Sequence, residues 1–324
     1  MPKHLRLITQ NLWHGLDHTR PKVMFPIETR EQNAQRTQAL IDGLAEQMEP
    51  LKDPAKLCLV ALQEVNPVGK LTRYLAKKLR CKKYRAEANV GLRIGNLSYP
   101  FYLQEGLAFL WSAQSLRKFE GERITLSDPI PEFRLVLGKW KLPISLQLAE
   151  RRVALLIKGI FDGLKIGFVN LHLHHGAPVP GGHPRRLKEL HTLFSNIETE
   201  FQSYDYFFLM GDFNFESSHD EVSLLKSKGF TEISLGEKDA PLITWDSGIN
   251  PICHLTSSQD KHTDAANKWG DYPRQLDHIF MFDKRNPGKI SENVTVSAYR
   301  LFDKARNGVF VSDHFGIGVD LIWK

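Results

Sequence analysis

The segment spanning residues 206–214 constrains the fold of this chain more than any other. Its sequence, Tyr-Phe-Phe-Leu-Met-Gly-Asp-Phe-Asn, begins with five apolar residues that are rich in aromatics. A run of this length and composition is typical of a buried β-strand rather than a helix. Gly211 ends the run, and Asp212 and Asn214 follow at once. The segment predicts a core strand with polar side chains at its end, where rigid scaffolds commonly present chemistry.

Asp212 and Asn214 lie two residues apart. If the chain stays extended beyond Gly211, both side chains point to the same face of the sheet. A carboxylate and an amide would then project together from the strand end. The alternative is a polar turn in which Asp and Asn stabilise their own backbone. The segment alone leaves both interpretations open.

The rest of the chain alternates strand patterns with a few helix patterns. We expect strands at residues 5–9, 57–62, 106–111, 153–158, 164–171, 276–282, 294–299 and 317–322. Helices are predicted at residues 28–48, 71–79, 185–201 and 220–228. Residues 128–150 contain Pro129, Pro131 and Pro143, so we expect an irregular segment there. Because the sequence has no repeat or flexible linker, it predicts a single α+β domain over residues 1–324.

Composition narrows the choice of partners. The chain has 324 residues, 42% hydrophobic and 25% charged, which is typical of a globular protein. Lys and Arg number 43 against 37 Asp and Glu, a difference of +6 that favours anionic partners. Three widely spaced cysteines fit neither a zinc site nor a disulfide framework. We see no signal peptide or membrane-spanning run, and we expect a cytoplasmic protein.

Several predicted strands end in polar residues that suit metal-assisted phosphoester chemistry. Divalent cations such as Mg²⁺ prefer oxygen ligands, and a histidine oriented by a carboxylate can deprotonate water. Amide and imidazole donors can stabilise charge that develops on phosphoryl oxygens. The residues at these strand ends are Asn11, Glu64, His172, Asp212, Asn214, Asp277, Asp313 and His314.

Six short motifs in a fixed order resemble those of the endonuclease/exonuclease/phosphatase superfamily, whose members share the DNase I-like fold. They extend over nearly the whole chain. This resemblance implies a four-layer α/β/β/α sandwich with its site at one end of the paired sheets. The motifs are Thr9-Gln10-Asn11-Leu12, Leu62-Gln63-Glu64-Val65, Asn170-Leu171-His172-Leu173, Gly211-Asp212-Phe213-Asn214, Leu276-Asp277-His278-Ile279 and Ser312-Asp313-His314-Phe315-Gly316.

The resemblance implies a metal site. Glu64 would be the principal ligand, and Asn11 and Asp313 would lie near the metal or its waters. Mg²⁺ is the expected ion, with Mn²⁺ as a possible substitute. Members of the superfamily differ in whether one or two metals act. We therefore expect at least the one metal held by Glu64.

The resemblance also implies catalytic roles. His314 would be the general base that activates water, and Asp277 would orient it. Asp212 would position the nucleophile or assist the leaving group. Asn214 would contact the phosphate, and His172 would stabilise the pentacovalent transition state.

Two segments are similar to the neutral sphingomyelinase branch: Thr244-Trp245-Asp246 with Asn250, and the run 272–277, Tyr-Pro-Arg-Gln-Leu-Asp. We therefore expect a phospholipid headgroup diester, first of all sphingomyelin, as substrate for a monomeric enzyme. The tyrosyl-DNA phosphodiesterase branch shares the Thr-Trp-Asp segment. The alternative is therefore a DNA or RNA endonuclease or a DNA-repair phosphodiesterase. A non-catalytic binding module is a third hypothesis, which the intact set of polar residues disfavours.

A lipid substrate requires transient contact with a bilayer. Residues 135–144 interleave apolar residues with Trp140 and two lysines, a composition found at membrane interfaces. Residues 99–103 are a second candidate. The alternative is that both segments pack on the sandwich as ordinary insertions.

Overall fold

The computed structural model describes residues 3–13, 16–17, 25–26, 28–48, 56–89, 92–94, 97–99, 104–112, 116–128, 133–137, 142–146, 151–176, 179–253 and 273–324. The helices are α1 (Arg30–Met48), α2 (Val68–Leu79), α3 (Pro184–Phe201) and α4 (Glu221–Ser227). The strands are β1 (Lys3–Asn11), β2 (Leu16–Asp17), β3 (Phe25–Pro26), β4 (Lys56–Val65), β5 (Lys82–Glu87), β6 (Leu92–Ile94), β7 (Leu97–Tyr99), β8 (Gly106–Trp111), β9 (Arg117–Ser127), β10 (Phe133–Leu137), β11 (Leu142–Leu146), β12 (Arg152–Phe161), β13 (Leu164–His172), β14 (Tyr206–Asp212), β15 (Phe230–Glu232), β16 (Asp277–Asp283), β17 (Val294–Leu301) and β18 (Gly316–Trp323).

Two six-stranded mixed sheets form the centre of the fold. Sheet 1 has the order β17-β18-β1-β4-β8-β5, and sheet 2 has the order β15-β16-β14-β13-β12-β9. Each contains one parallel pair near its middle, β1 with β4 and β13 with β14. One apolar cluster lies between the sheets, and two further clusters lie under the helices. The architecture is the predicted four-layer α/β/β/α sandwich of the DNase I-like fold.

The predicted core strand shows why its sequence is continuously apolar. Phe208 and Met210 of β14 belong to the cluster between the sheets, whereas Phe207 and Leu209 pack against the helix layer. The ring of Phe208 stacks on that of Phe168 from β13, with centroids 5.3 Å apart. Because successive side chains point to opposite faces, a strand covered on both faces is apolar at every position.

The helices cover the outer faces of the two sheets. On sheet 1, Leu40 and Leu44 of α1 and Leu75 of α2 share an apolar cluster with the sheet. On sheet 2, Phe194 and Ile197 of α3 do the same. The four predicted helices are therefore all present, with boundaries shifted by no more than three residues. In the described part of the chain, no helix is long and apolar enough to cross a membrane.

The expectation of an irregular segment at residues 128–150 was wrong. Strands β10 and β11 form a hairpin within a four-stranded sheet of order β10-β11-β6-β7. Pro143 lies opposite Val136 in this hairpin, outside the stretch from Ile144 to Leu146 that pairs with β6. A proline is tolerated where only one neighbouring strand requires a hydrogen bond. Residues 100–103 and 254–272 lie outside the described residues.

Buried amides connect the two sheets close to the strand ends that carry the predicted site. Gln63 Nε2 donates to Asn170 Oδ1 at 2.7 Å. Asn170 Nδ2 in turn donates to the carbonyls of Leu62 and Ala108, at 2.9 and 3.0 Å. Since buried polar groups require partners, this network fixes the relative position of the sheets where Glu64 and His172 emerge.

Gly211 supplies a testable constraint at the end of β14. Its φ is +142°, and a Cβ there would lie 2.0 Å from the carbonyl oxygen of Leu171. We expect Gly211→Ala to lower the free energy of unfolding by about 3 kcal/mol or more, because backbone strain and overlap add. Gly163→Ala is the matched control: its φ is +84°, but no atom lies within 4 Å. Chemical denaturation should show a loss of only about 1 kcal/mol for the control; equal losses would contradict the steric argument.

Candidate active site

Asn11 and Glu64 come together because β1 and β4 are parallel neighbours that end at the same edge. Glu64 has a φ of 52°, and the pairing of β4 with β8 is irregular between Leu62 and Val65. Such bulges redirect a side chain. Asn11 Nδ2 donates to Glu64 Oε1 at 3.0 Å, while its Oδ1 accepts from the backbone N–H of Trp13 at 2.9 Å.

His172 and Asp212 stand side by side at the ends of β13 and β14, where they are register partners. His172 Nε2 lies 3.8 Å from Asp212 Oδ2 and also 3.8 Å from Glu64 Oε1. Asn11 Nδ2 donates to the same Asp212 oxygen at 3.0 Å. Side chains from both sheets therefore meet in one cluster, as expected for a site at one end of the sandwich.

His314 and Asp277 form a hydrogen-bonded pair beside this cluster. His314 Nδ1 lies 2.7 Å from Asp277 Oδ2, and its Nε2 lies 4.0 Å from Asp212 Oδ2. Asp277 faces Asp212 across the antiparallel pair of β14 and β16. A carboxylate at Nδ1 leaves Nε2 free to accept a proton. Asp212 is thus the group that both the Glu64 side and the His314 side of the site contact.

Asn214 lies in a turn and not in extended chain. Its φ is 54°, and its backbone N–H donates to Asp212 Oδ1 at 2.9 Å. Its side-chain Nδ2 donates to the carbonyl of Leu173 at 3.0 Å. The alternation expected for an extended segment is therefore wrong here, and the polar turn is present. Its hydrogen bond still holds Asp212 in place, so the turn serves the site.

Asp313 lies in the loop before β18, next to His314. Its Oδ1 accepts a hydrogen bond from the Ser312 hydroxyl at 3.1 Å, and its carbonyl accepts from the Cys253 thiol at 3.1 Å. The carboxylate belongs to the same loop as His314. Its participation in metal binding stays a prediction.

Burial and neighbouring charges shift the proton affinities of the site. Burial, with the charges of Asp277 and Glu64, raises the pKa of Asp212, and His314 and Asn11 oppose the shift; the net result is a pKa of about 7. Burial alone would lower the pKa of His314, but the carboxylates of Asp277, Asp313 and Asp212 together raise it well above its usual value. The shift favours the imidazolium, so His314 binds a proton more strongly than a free imidazole does.

His172 is shifted in the opposite direction. Burial lowers the pKa of His172 well below its usual value, and the positive charge of Arg152 lowers it further. A neutral imidazole can donate one hydrogen bond without bringing a second charge. The sequence interpretation missed Arg152, and also Glu105, whose Oε1 lies 4.0 Å from His172 Nδ1. Neither belongs to a recognised motif, so only the fold places them here.

The donor set fits a hard divalent cation. One carboxylate oxygen of Glu64 and one of Asp212 each lie 3.0 Å from Asn11 Nδ2 and 3.8 Å from His172 Nε2. Such oxygen ligands are typical of Mg²⁺ and Mn²⁺ sites. One potential ligand atom from each of Asp212, Asp277 and His314 also lies within 4.8 Å of the other two. Within this second group, His314 Nδ1 lies 2.7 Å from Asp277 Oδ2.

Thr244, of the Thr-Trp-Asp segment, holds the backbone next to both members of the His314–Asp277 pair. Its buried hydroxyl accepts from the backbone N–H groups of Leu276 and Asp277, at 3.0 and 3.2 Å. Its carbonyl accepts from the N–H of Phe315 at 2.6 Å. One residue therefore contacts both chain segments that carry the His314–Asp277 pair.

Asn250 and Gln10 hold the same loop. Asn250 Nδ2 donates to the Ser312 carbonyl at 2.7 Å, and Gln10 Nε2 donates to the His314 carbonyl at 3.0 Å. The sequence interpretation used Asn250 only to assign a branch and gave Gln10 no role. In the structure, both side chains hold the backbone of the loop that carries His314.

The fold and the site together define a metal-dependent phosphoric diester hydrolase. Oxygen donors that suit a hard cation lie beside a histidine–carboxylate pair at one end of a four-layer sandwich, and the sequence comparison gives the family. The chain belongs to the Endonuclease/Exonuclease/phosphatase family, whose sequence model matches residues 8–314. No curated protein shows a significant sequence match.

Solved structures similar to this chain share its fold at low sequence identity. An endonuclease/exonuclease/phosphatase from Bacteroides vulgatus has a TM-score of 0.60 at 15% identity, covering 99% of this chain and 100% of that one. D. rerio TDP2 complexed with a single-strand DNA product has a TM-score of 0.59 at 18% identity, covering 98% of each chain. An endonuclease/exonuclease/phosphatase family protein from Leptotrichia buccalis has a TM-score of 0.57 at 18% identity, covering 98% and 99%.

The contacts of Thr244 predict the effect of removing its hydroxyl. We expect Thr244→Val to lower the free energy of unfolding by about 2 kcal/mol or more, because two buried N–H groups lose their acceptor. It should also reduce kcat, since the backbone N–H of Asp277 loses its anchor, whereas the Thr244 carbonyl that holds Phe315 is retained. Thr192→Val, on the exposed face of α3, is the matched control and should change neither quantity. Denaturation curves and initial rates measure both effects; an unaltered Thr244→Val enzyme would contradict this role.

Proposed function

We propose that this enzyme hydrolyses a phospholipid headgroup diester, with sphingomyelin as the first candidate, and that His314 deprotonates the attacking water. The catalytic part rests on the 2.7 Å contact between His314 Nδ1 and Asp277 Oδ2. That bond orients the ring and leaves Nε2 facing the cluster around Asp212. A base must lie within hydrogen-bond reach of the proton that it removes, and Nε2 is the atom available for this.

Glu64 is the proposed principal metal ligand, with Asn11 and Asp313 close to the metal or its waters. A bound Mg²⁺ or Mn²⁺ would polarise the phosphoryl oxygens and offset negative charge in the site. Asn11 supports this arrangement because its amide nitrogen holds the Glu64 and Asp212 carboxylates in place.

Asp212, Asn214 and His172 complete the proposed site. Asp212 contacts both halves, and its raised pKa of about 7 suits a group that positions the nucleophile or passes a proton to the leaving group. Neutral His172 can donate from Nε2 to the charge that develops on a phosphoryl oxygen. Asn214 keeps the turn shaped around Asp212, and its contact with the phosphate stays a prediction.

The β10–β11 hairpin supports the choice of a lipid. Leu135 and Leu146 are 57% and 37% exposed, and Ile144 lies opposite Leu135 in the register. These positions share one face of the hairpin, because alternate residues and directly paired residues lie on the same side. Exposed apolar side chains on one face are suited to insertion into the interfacial region of a bilayer. The hairpin includes most of residues 135–144, one of the two segments whose composition predicts membrane contact; residues 138–141 lie outside the described residues.

A nucleic-acid substrate is the second candidate. Two observations favour it: the net charge of +6 and the likeness to D. rerio TDP2, whose structure contains a single-strand DNA product. A nuclease or DNA-repair phosphodiesterase would bind phosphates along a strand. Its affinity would therefore fall steeply as salt rises.

A substrate panel separates the two candidates. Purified enzyme is incubated with sphingomyelin vesicles, phosphatidylinositol phosphate vesicles, plasmid DNA, a 5′-phosphotyrosyl oligonucleotide and a generic chromogenic diester. Each substrate is tested with Mg²⁺, with Mn²⁺ and with chelator. Phosphocholine release that requires metal is the expected result. Turnover of a nucleic-acid substrate with a steep salt slope, and none of lipid, would replace the lipid assignment.

The catalytic assignment predicts the effect of two substitutions. Glu64→Ala should reduce turnover to background, and His314→Ala should reduce kcat about 100–10,000-fold because the base is lost. Both should keep the fold, which circular dichroism and thermal melting can check. His191→Ala, an exposed histidine on α3, is the control and should retain wild-type rates. Substantial activity in either site variant would remove the role assigned to that residue.

The membrane-contact assignment makes a separate prediction. We expect the double substitution Leu135→Ser with Leu146→Ser to raise KM on sphingomyelin vesicles about tenfold, since apolar area is lost from the inserted face. Rates on a soluble chromogenic diester should not change. Ile290→Ser removes an apolar side chain of similar exposure away from the hairpin and serves as the control. Unchanged vesicle kinetics in the double variant would exclude the hairpin from membrane contact.

A further inference from the structure

His278 is a fully buried, titratable side chain to which the proposed mechanism assigns no role. It follows Asp277 at the start of β16 and lies opposite Gly211 of β14 in the register. Its ring packs on Phe215, with centroids 5.3 Å apart and an interplanar angle of 29°, and against Phe213 at 5.8 Å. An apolar side chain would fit this aromatic environment. The presence of an imidazole therefore points to the hydrogen bonds that its two nitrogens make.

Both ring nitrogens of His278 face acceptors. Nε2 lies 2.6 Å from the carbonyl oxygen of Phe215, and Nδ1 lies 2.7 Å from Glu232 Oε1. The same Glu232 oxygen accepts from Ser217 and Ser234, each at 3.1 Å. A carboxyl oxygen that receives several donors is favoured in its ionised form. The ring must then donate from both nitrogens, which only the imidazolium can do.

The electrostatic surroundings support this charge state. Burial alone would lower the pKa of His278, but the Glu232 carboxylate, the Phe215 carbonyl and the charge of Asp277 raise it instead. Burial likewise would raise the pKa of Glu232, yet the imidazolium and the hydroxyl donors lower it. A buried pair of this kind adds little net stability, because desolvation opposes the attraction.

The position of the pair shows what it can do. Phe215 closes the turn that contains Asp212 and Asn214, and Asn214 holds the positive φ of 54°. The Phe213 N–H donates to the Leu276 carbonyl at 3.0 Å, which ties the same turn to the chain that precedes Asp277. The His278 side chain therefore connects the end of the Asp212 turn to the strand that carries the His314 partner.

We propose that His278 is a positioning residue: as an imidazolium anchored on Glu232, it fixes the Phe215 carbonyl and keeps Asp212 in register with the Asp277–His314 pair. This inference rests on the proposed catalytic function of that pair. The role requires the N–H donor at Nε2. A role in stability alone would require only that the pocket be filled without an unpaired charge.

The test compares variants that separate packing from hydrogen bonding. His278→Phe with Glu232→Gln fills the pocket and removes both charges, and His278→Gln with Glu232→Gln restores an N–H donor. We expect the Phe double variant to melt near the wild type but to lose kcat about 10–100-fold, with KM changed less than about threefold. The Gln double variant should recover part of kcat. Arg186→Met with Glu221→Gln, which removes another buried ion pair, is the control and should keep wild-type kcat.

The measurements are made on the soluble chromogenic diester and by NMR. In ¹⁵N-histidine spectra of the wild type, both His278 nitrogens should be protonated at neutral pH. The amide shifts of Phe213 and Asn214 should move in the Phe double variant. A neutral His278 ring, or wild-type kcat in a folded Phe double variant, would overturn the proposal. A wild type that hydrolyses no diester would refute the proposed function instead, and the NMR results would still decide the role of His278.

Discussion

Repulsion between Glu64, Asp212 and Asp277 is the interaction on which the arrangement of this site depends. These carboxylates converge at one end of the paired sheets, where burial weakens screening by water. Each is held by a specific partner: Asn11 donates to Glu64 and Asp212, and His314 pairs with Asp277. The remaining negative charge suits the divalent cation that we propose for this site. A concentration of acidic groups that would destabilise an ordinary core is thus accounted for by the proposed cation.

The two central parallel strand pairs make this convergence possible. Parallel neighbours end at the same edge, so β1 with β4 and β13 with β14 each deliver two side chains to one place. Gln63 and Asn170 hydrogen-bond across the interface and fix the sheets relative to each other just below the site. The loops then need only local supports such as Thr244 and Asn250. The side chains of the site therefore lie within a few residues of the rigid sheets.

The arrangement of the site does not distinguish a lipid substrate from a nucleic-acid substrate. The carboxylate–histidine arrangement addresses the phosphodiester itself and would serve lipid and nucleic acid alike. Selectivity must come from surfaces outside it. The β10–β11 hairpin, with Leu135 and Leu146 exposed, is the surface that we propose for this role, and it lies outside the six motifs that carry the family resemblance. It was also the part of the chain whose secondary structure the prolines obscured.

The sequence by itself determined the core strands, the helices and the set of polar residues at the strand ends, because burial on two faces and chain alternation leave a local pattern. Asp212 and Glu64 could be selected in this way. Only the tertiary structure decided that Asn214 lies in a turn, that Arg152 and Glu105 flank His172, and that His278 joins Phe215 to Glu232. These contacts unite residues far apart in the chain. Their geometry depends on sheet packing and on backbone angles that no local pattern encodes.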